Sequence, residues 1–232
     1  MTVLLGVAHG TRDPAGTRVI RELLSLVRAA RPELAVGEAY AEVAAPSVAE
    51  AVRELGYRPM VAVPLLLGRG YHVQVDIPAQ LAEAGADAVV SRPLGPHPEL
   101  TGALLDRLGD AAEAGAVVLG AAGSTDPRGV ADVRAAARLL GRALGRPVPF
   151  GFVGGPGPGP GPALADVVAE ARRGGARSVA VASYLLAPGF FQRRVEAAGA
   201  DFTSRPLGAH QGLARLILRR YDEVGFGVRG VA

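Results

Sequence analysis

Two stretches of this chain, set 113 positions apart, carry the same pattern, and that repeat limits the fold more than any other feature. Val3-Leu4-Leu5-Gly6-Val7-Ala8-His9-Gly10-Thr11-Arg12-Asp13-Pro14 is matched by Ala116-Val117-Val118-Leu119-Gly120-Ala121-Ala122-Gly123-Ser124-Thr125-Asp126-Pro127. At the same offset Arg92-Pro93-Leu94-Gly95-Pro96-His97 returns as Arg205-Pro206-Leu207-Gly208-Ala209-His210. Each opening stretch is an apolar run that stops in a turn closed by Asp-Pro. Such a run reads as a buried strand feeding a helix, with Asp13 as N-cap and Pro14 as the first helical residue.

Within the first copy the pattern predicts a helix from Pro14 to about Ala30, a strand over Leu34–Glu42, a helix from Pro46 to Gly56, and a strand over Met60–Leu67. The continuous apolar character of that last run is the mark of a parallel strand buried on both faces. A helical segment through Ala84, a short strand over Asp87–Ser91 and a helix from Pro98 to about Ala111 complete it. The fold class is α/β, with two tandem parallel-sheet units, residues 1–113 and 114–232, and an active site expected in the cleft between them. Between a strand at Val148–Val153 and a helix from Ala163, the tract Gly154–Pro162 alternates glycine and proline, so it reads as a loop, either a lid or a low-complexity insertion.

The copies differ where chemistry is concerned. His9 is replaced by Ala122, and His72, which follows the third strand, by Phe191, so one site per chain is expected, in the first half. His97 and His210, by contrast, recur just before a helix in both halves and read as structural. Parallel α/β units place ligands outside the carboxyl ends of their strands, and the first and third strands can be neighbours. Two neutral imidazoles there can hold a borderline metal ion or accept protons near neutral pH. Glu42, at the end of the second strand, can add an oxygen ligand.

Composition removes several alternatives. The chain has no cysteine, which excludes disulfides, iron–sulfur clusters and thiolate sites, and its 25 basic residues are all arginine. Without lysine there is neither a Walker A loop nor a Schiff base. A net charge of +3, with arginines scattered among acidic residues, shows no nucleic-acid footprint. No apolar run is long enough for a membrane span and no targeting segment precedes the first strand, so a cytoplasmic protein is expected.

The turn His9-Gly10-Thr11-Arg12-Asp13, Glu42 with Pro46, and Val63-Pro64-Leu65-Leu66-Leu67 running into Gly70-Tyr71-His72-Val73 and Asp76-Ile77-Pro78 resemble the class II sirohydrochlorin chelatases, over nearly the whole chain and in the long, internally duplicated form. The resemblance implies ATP-independent insertion of Fe2+ or Co2+ into sirohydrochlorin, in siroheme or cobalamin biosynthesis. The metal is then a substrate, and no permanent cofactor is implied. His9 and His72 become the metal-handling and proton-accepting residues, and Glu42 a third ligand. Arg12 and Arg69, with Gly10 and Thr11, are candidates for binding the carboxylate-bearing macrocycle. Where the family usually has Ser-Pro-Gly before the second histidine, this chain has Gly68-Arg69-Gly70, while the second half keeps Ala187-Pro188-Gly189. Phe190 and Phe191 are candidates for an apolar wall. The duplication makes a functional monomer the expected state, as a pseudo-dimer. Two other readings stand beside it: a metal or tetrapyrrole carrier without turnover, which uses the same residues, and a histidine phosphatase built on the His9-Gly10 turn, which usually has arginine where this chain has Ala8.

Overall fold

The computed structural model describes residues 2–154 and 161–228, for 225–228 the main chain only. Most of the Gly/Pro tract, residues 155–160, lies outside the described residues. The chain divides into two compact units, Met1–Leu94 with Ala209–Ala232, and Gly95–Gly208.

In the first unit the elements are β1 (Val3–Ala8), α1 (Pro14–Ala30), β2 (Val36–Tyr40), α2 (Val48–Glu54), β3 (Met60–Pro64), a π-helical turn (His72–Asp76), α3 (Ile77–Glu83) and β4 (Ala88–Val90). All strand pairs are parallel, in the order β2-β1-β3-β4. Every residue of β1 and β3 is buried, as their unbroken apolar sequences require of central strands. Asp13 caps α1 by accepting from the Ala15 amide at 3.0 Å, with Pro14 in the first turn. The helix expected from Pro46 starts two residues later, because Ser47 and Glu50 close a capping box. Strands two and three are both shorter than their apolar runs. Val43 takes a left-handed conformation that turns the chain after β2, and Pro64 has no N–H with which to continue the ladder.

The second unit contains α4 (Pro98–Leu108), a 3-10 turn (Gly109–Glu113), β5 (Ala116–Ala121), α5 (Pro127–Leu144), β6 (Phe150–Phe152), α6 (Leu164–Arg173), β7 (Val179–Tyr184), α7 (Phe190–Glu196) and β8 (Phe202–Thr203). Its sheet, β6-β5-β7-β8, repeats the first in order and direction.

Two helices lie in different units by packing than by the repeat. The last helix of the chain, α8 (Gln211–Val228), belongs to the first unit, and α4 belongs to the second. The packing units thus differ from the repeat halves 1–113 and 114–232 by the exchange of α4 and α8. Matching side chains hold the two helices in place. In the second unit Arg107 donates to the carbonyl of Leu207 from Nε and Nη2, at 2.9 and 2.8 Å. In the first, Arg220, 2% exposed, donates to Pro93 and Leu94 carbonyls at 2.8 and 3.0 Å. Arg107 and Arg220, like Leu94 and Leu207, are equivalent positions of the repeat. Arg31 and Asp222 add a two-bonded ion pair between α1 and α8, at 2.6 and 2.8 Å. No helix among the described residues is long and apolar enough to cross a membrane.

Candidate metal centre

The order β2-β1-β3 sets three strand ends side by side in the first unit, and the chain leaving each one carries a ligand-type side chain. His9 follows β1, Glu42 follows β2 by two residues, and His72 opens the π-helical turn beyond β3. Two main-chain bonds extend the β1–β2 ladder past the strands. Ala41 N–H donates to Ala8 O, and Glu42 N–H to His9 O, both at 2.9 Å. Glu42 is thereby fixed beside His9.

Gly10 makes that approach possible. Its φ is +101°, and a Cβ built there would stand 1.8 Å from the Glu42 carbonyl oxygen, so no other residue fits. Val43, next to Glu42, has φ of +47°, an outlier for a β-branched residue. Backbone strain of this kind gathers at functional sites.

The three side chains converge. The His9 and His72 rings lie 4.4 Å apart between centroids, tilted by 38°. His72 Nε2 is 4.0 Å from Glu42 Oε1, too far for a hydrogen bond and near the span of two ligands across one ion. One ligand atom from each of His9, Glu42 and His72 can be chosen so that all lie within 4.8 Å of one another, and this is the one such group among the described residues. His9 Nδ1 is buried and meets no hydrogen-bond partner among the described residues. A buried orphan nitrogen calls for an explanation, and an incoming cation supplies one.

Asp76, part of the sequence motif but given no role from it, stands behind His72. Its Oδ2 lies 2.8 Å from His72 Nδ1. A proton on Nδ1 makes that contact a hydrogen bond and leaves the Nε2 lone pair facing Glu42. Burial acts to raise the Asp76 pKa, but hydrogen bonds from His72 and Gln80 hold it below the usual carboxylate value. The signal available in the sequence was the i, i+4 spacing of a histidine and an aspartate.

Burial, and next the neighbouring His72, depress the pKa of His9 below 6.5, against the opposing pull of Glu42. His9 is thus neutral at neutral pH, with a lone pair free for a metal or a proton. Because the unfolded chain takes up this proton more readily, His9 costs no stability above pH 6.5 and an increasing amount as pH falls below it. In an NMR titration His9 is expected to have its midpoint below 6.5, and His72→Ala is expected to move that midpoint upward. A wild-type midpoint at or above 6.5 would contradict the burial described.

The remaining sequence-predicted residues are placed as follows. Thr11 Oγ1 accepts from the Asp13 amide at 3.1 Å, a turn that feeds α1. Arg12 and Arg69 are exposed, in the turns that carry His9 and His72. His97 Nδ1 accepts from Glu99 N–H at 3.2 Å and His210 Nδ1 from Gly212 N–H at 3.0 Å, the helix-start role expected of both. In the second unit the positions matching His9, Glu42 and His72 are held by Ala122, Gly154 and Phe191. A Cβ built on Gly154 would come within 2.3 Å of Ala122 O and 3.0 Å of Phe191 Cε1, so an aromatic ring packs where the first unit sets the His9–Glu42–His72 group. Phe190 and Phe191 are exposed, their rings edge-on at 5.3 Å, with the Arg194 guanidinium 5.5 Å from the Phe190 centroid.

The CbiX family model matches residues 3–111 and again 116–224. A sirohydrochlorin cobaltochelatase of Methanococcoides burtonii is 30% identical over 78 residues, which are 32% of this chain and 60% of that protein. One of Methanopyrus kandleri is 26% identical over 139 residues, covering 48% of this chain and 97% of its own length. Among solved structures, SirB from Bacillus subtilis with Fe3+ is similar over 100% of this chain and 98% of that one, with a TM-score of 0.78 and 23% identity. That last likeness is one of fold.

Proposed function

This chain belongs to the CbiX family in both its halves, and from that premise we propose that it is a sirohydrochlorin chelatase, a lyase that inserts Fe2+ or Co2+ into the macrocycle without nucleotide hydrolysis, for siroheme or cobalamin. The observation that carries the reading is the convergence of His9, Glu42 and His72 from three adjacent strand ends.

The reaction needs a loosely held cation and a base. The free macrocycle carries two pyrrole N–H protons, and both must leave as the divalent ion enters, so one metal ion is exchanged for two protons. Three ligands of mixed nitrogen and oxygen type suit a first-row divalent ion and leave the rest of its coordination to the macrocycle. Glu42 is the open side of the set, with half its side chain exposed, while His9 is more enclosed. The cation is held by His72 Nε2, Glu42 and His9 until ring nitrogens replace them. As the ligands are released, the histidines accept the pyrrole protons, and Asp76 stabilises the cation formed on His72 through the Nδ1 contact at 2.8 Å. Solvent then takes the protons from the exposed edge of the site.

Arg12 and Arg69 receive carboxylates at the macrocycle's edge, where a guanidinium gives two parallel charge-assisted bonds. Gly10 and Thr11 shape the turn on which that edge rests. The chain acts in the cytoplasm as a monomer, its duplication standing in for a second subunit.

The test is metal insertion into sirohydrochlorin followed by absorbance, with iron and cobalt supplied separately and metal-only controls. Many macrocycles metallated per chain, at a rate above the control, is the expected result. Stoichiometric binding without acceleration would leave a carrier in place of an enzyme.

A further inference from the structure

The hydrogen bonding behind the metal ligands continues past Asp76. The second carboxylate oxygen of Asp76, Oδ1, accepts from Gln80 Nε2 at 2.8 Å. The same amide nitrogen donates to the main-chain oxygen of Ala41 at 3.0 Å. A carboxamide nitrogen carries two protons, so one Gln80 makes both bonds at once. Ala41 precedes Glu42, and its own N–H is bonded to the carbonyl of Ala8, which precedes His9. One side chain on α3 thus reaches the supports of all three ligands.

The geometry points to Gln80 as the positioning residue that sets the spacing of the His9–Glu42–His72 set, acting on His72 through Asp76 and on Glu42 through Ala41. The proposal rests on reading that set as the metal-handling centre.

Two features favour it over a merely structural role. The contacts run along one path. The Gln80 amide bonds to Asp76 and Ala41, and its side chain is only partly buried. The second unit supplies the contrast. Where Phe191 stands in the place of His72, the residue four positions on is Val195, fully buried among apolar neighbours. Ligands and tether are absent together there.

Positioning matters for a site this open. His72 Nε2 and Glu42 Oε1 stand 4.0 Å apart with no direct bond, so their separation is set from behind. A glutamine that releases either bond lets the π-helical turn and the end of β2 drift independently. Changes in the hydrogen-bonded shell behind metal ligands typically weaken metal binding by about 10–100-fold.

The experiment uses the full chain and Co2+ alone, titrated by its visible absorption, on wild type and Gln80→Met. Methionine keeps the length and packing of glutamine but donates no hydrogen bond. The expected result is Co2+ binding weakened by about 10–100-fold with the melting temperature held within a few degrees. The same preparations give the His72 tautomer by 15N NMR, with the proton on Nδ1 expected in the wild type. Wild-type Co2+ affinity in Gln80→Met, or a His72 proton on Nε2 in the wild type, overturns the proposal. If Gln80→Met does not fold, Gln80→Asn is measured in the same way. Its amide is one methylene too short to span Asp76 and Ala41, so wild-type affinity there is equally fatal. A wild type that binds no Co2+ removes the premise and the proposal with it. Co2+ binding that depends on Gln80, without macrocycle turnover, would keep this inference and end the chelatase reading. Turnover with Gln80-independent Co2+ binding would do the reverse.

Discussion

Alanine at His9 or at His72 is expected to lower the rate of metal insertion by about a thousandfold, the middle of the range for removing a positioned proton acceptor. Each imidazole is assigned two tasks at one step, holding the cation and taking a proton. The double variant is therefore expected to be little worse than either single one, because groups that act as a unit are not additive. The measurement is the absorbance change of sirohydrochlorin with Fe2+ and with Co2+, at saturating macrocycle and across metal concentration. Loss of a ligand raises the metal concentration needed, whereas loss of a base lowers the plateau, and both changes are expected here. His97→Ala and His210→Ala serve as controls. Their Nδ1 atoms cap helix starts, so each should cost about 1 kcal/mol of stability and leave insertion unchanged. Equal loss of activity in all four variants would mean that destabilisation, not site chemistry, had been measured. Full activity in His9→Ala would remove the proposed mechanism.

The same four histidines show how far the sequence could be read. Two of them recur at equivalent places in the repeat and two do not, and the structure puts the recurring pair at helix starts and the unique pair in one cluster. That division was legible because a duplicated scaffold repeats whatever the scaffold itself needs. The parallel sheets were legible for a similar reason. Val3–Ala8 and Met60–Pro64 are apolar throughout, and only a strand covered on both faces has no use for alternation.

What escaped the sequence depends on three-dimensional neighbours. The repeat gives the order of elements along the chain but not which sheet a helix covers, so the exchange of α4 and α8 between packing units was not legible. The cue was present in Arg107 and Arg220, equivalent arginines whose partners are carbonyls about 100 and 127 positions away along the chain. A carbonyl partner leaves no trace in residue type. The roles of Asp76 and Gln80 were missed similarly: their spacing from His72, four and eight residues, is ordinary helical periodicity until His72 is read as the head of a site. Thr11, a substrate-binding candidate from its place in the turn, accepts from the Asp13 amide and keeps its hydroxyl proton to donate.

Gly10→Ala is expected to have the largest effect of any single-atom addition in this chain, although it removes no ligand. The position has φ of +101°, where a side chain is strained whatever the space around it, and the new Cβ would lie 1.8 Å from the Glu42 carbonyl oxygen. That separation is roughly half an ordinary carbon–oxygen contact, so main chain has to move. Either the His9 turn or the end of β2 must retreat, and the bond from Glu42 N–H to His9 O breaks with it. Left-handed strain and a lost main-chain bond together should cost about 2–4 kcal/mol of stability. The site should suffer more than the fold. The bond from Glu42 N–H to His9 O is the direct main-chain link between these two residues, and Co2+ affinity is expected to fall by at least about 100-fold. Gly70→Ala is the control, two residues before His72. A Cβ there meets nothing within 4 Å, so stability and Co2+ affinity should stay near those of the wild type. If Gly10→Ala instead bound Co2+ as tightly as Gly70→Ala does, the close approach of the two strand ends would not be what assembles the ligand set. The spacing of His9 and Glu42 would then have to be set from the His72 side alone.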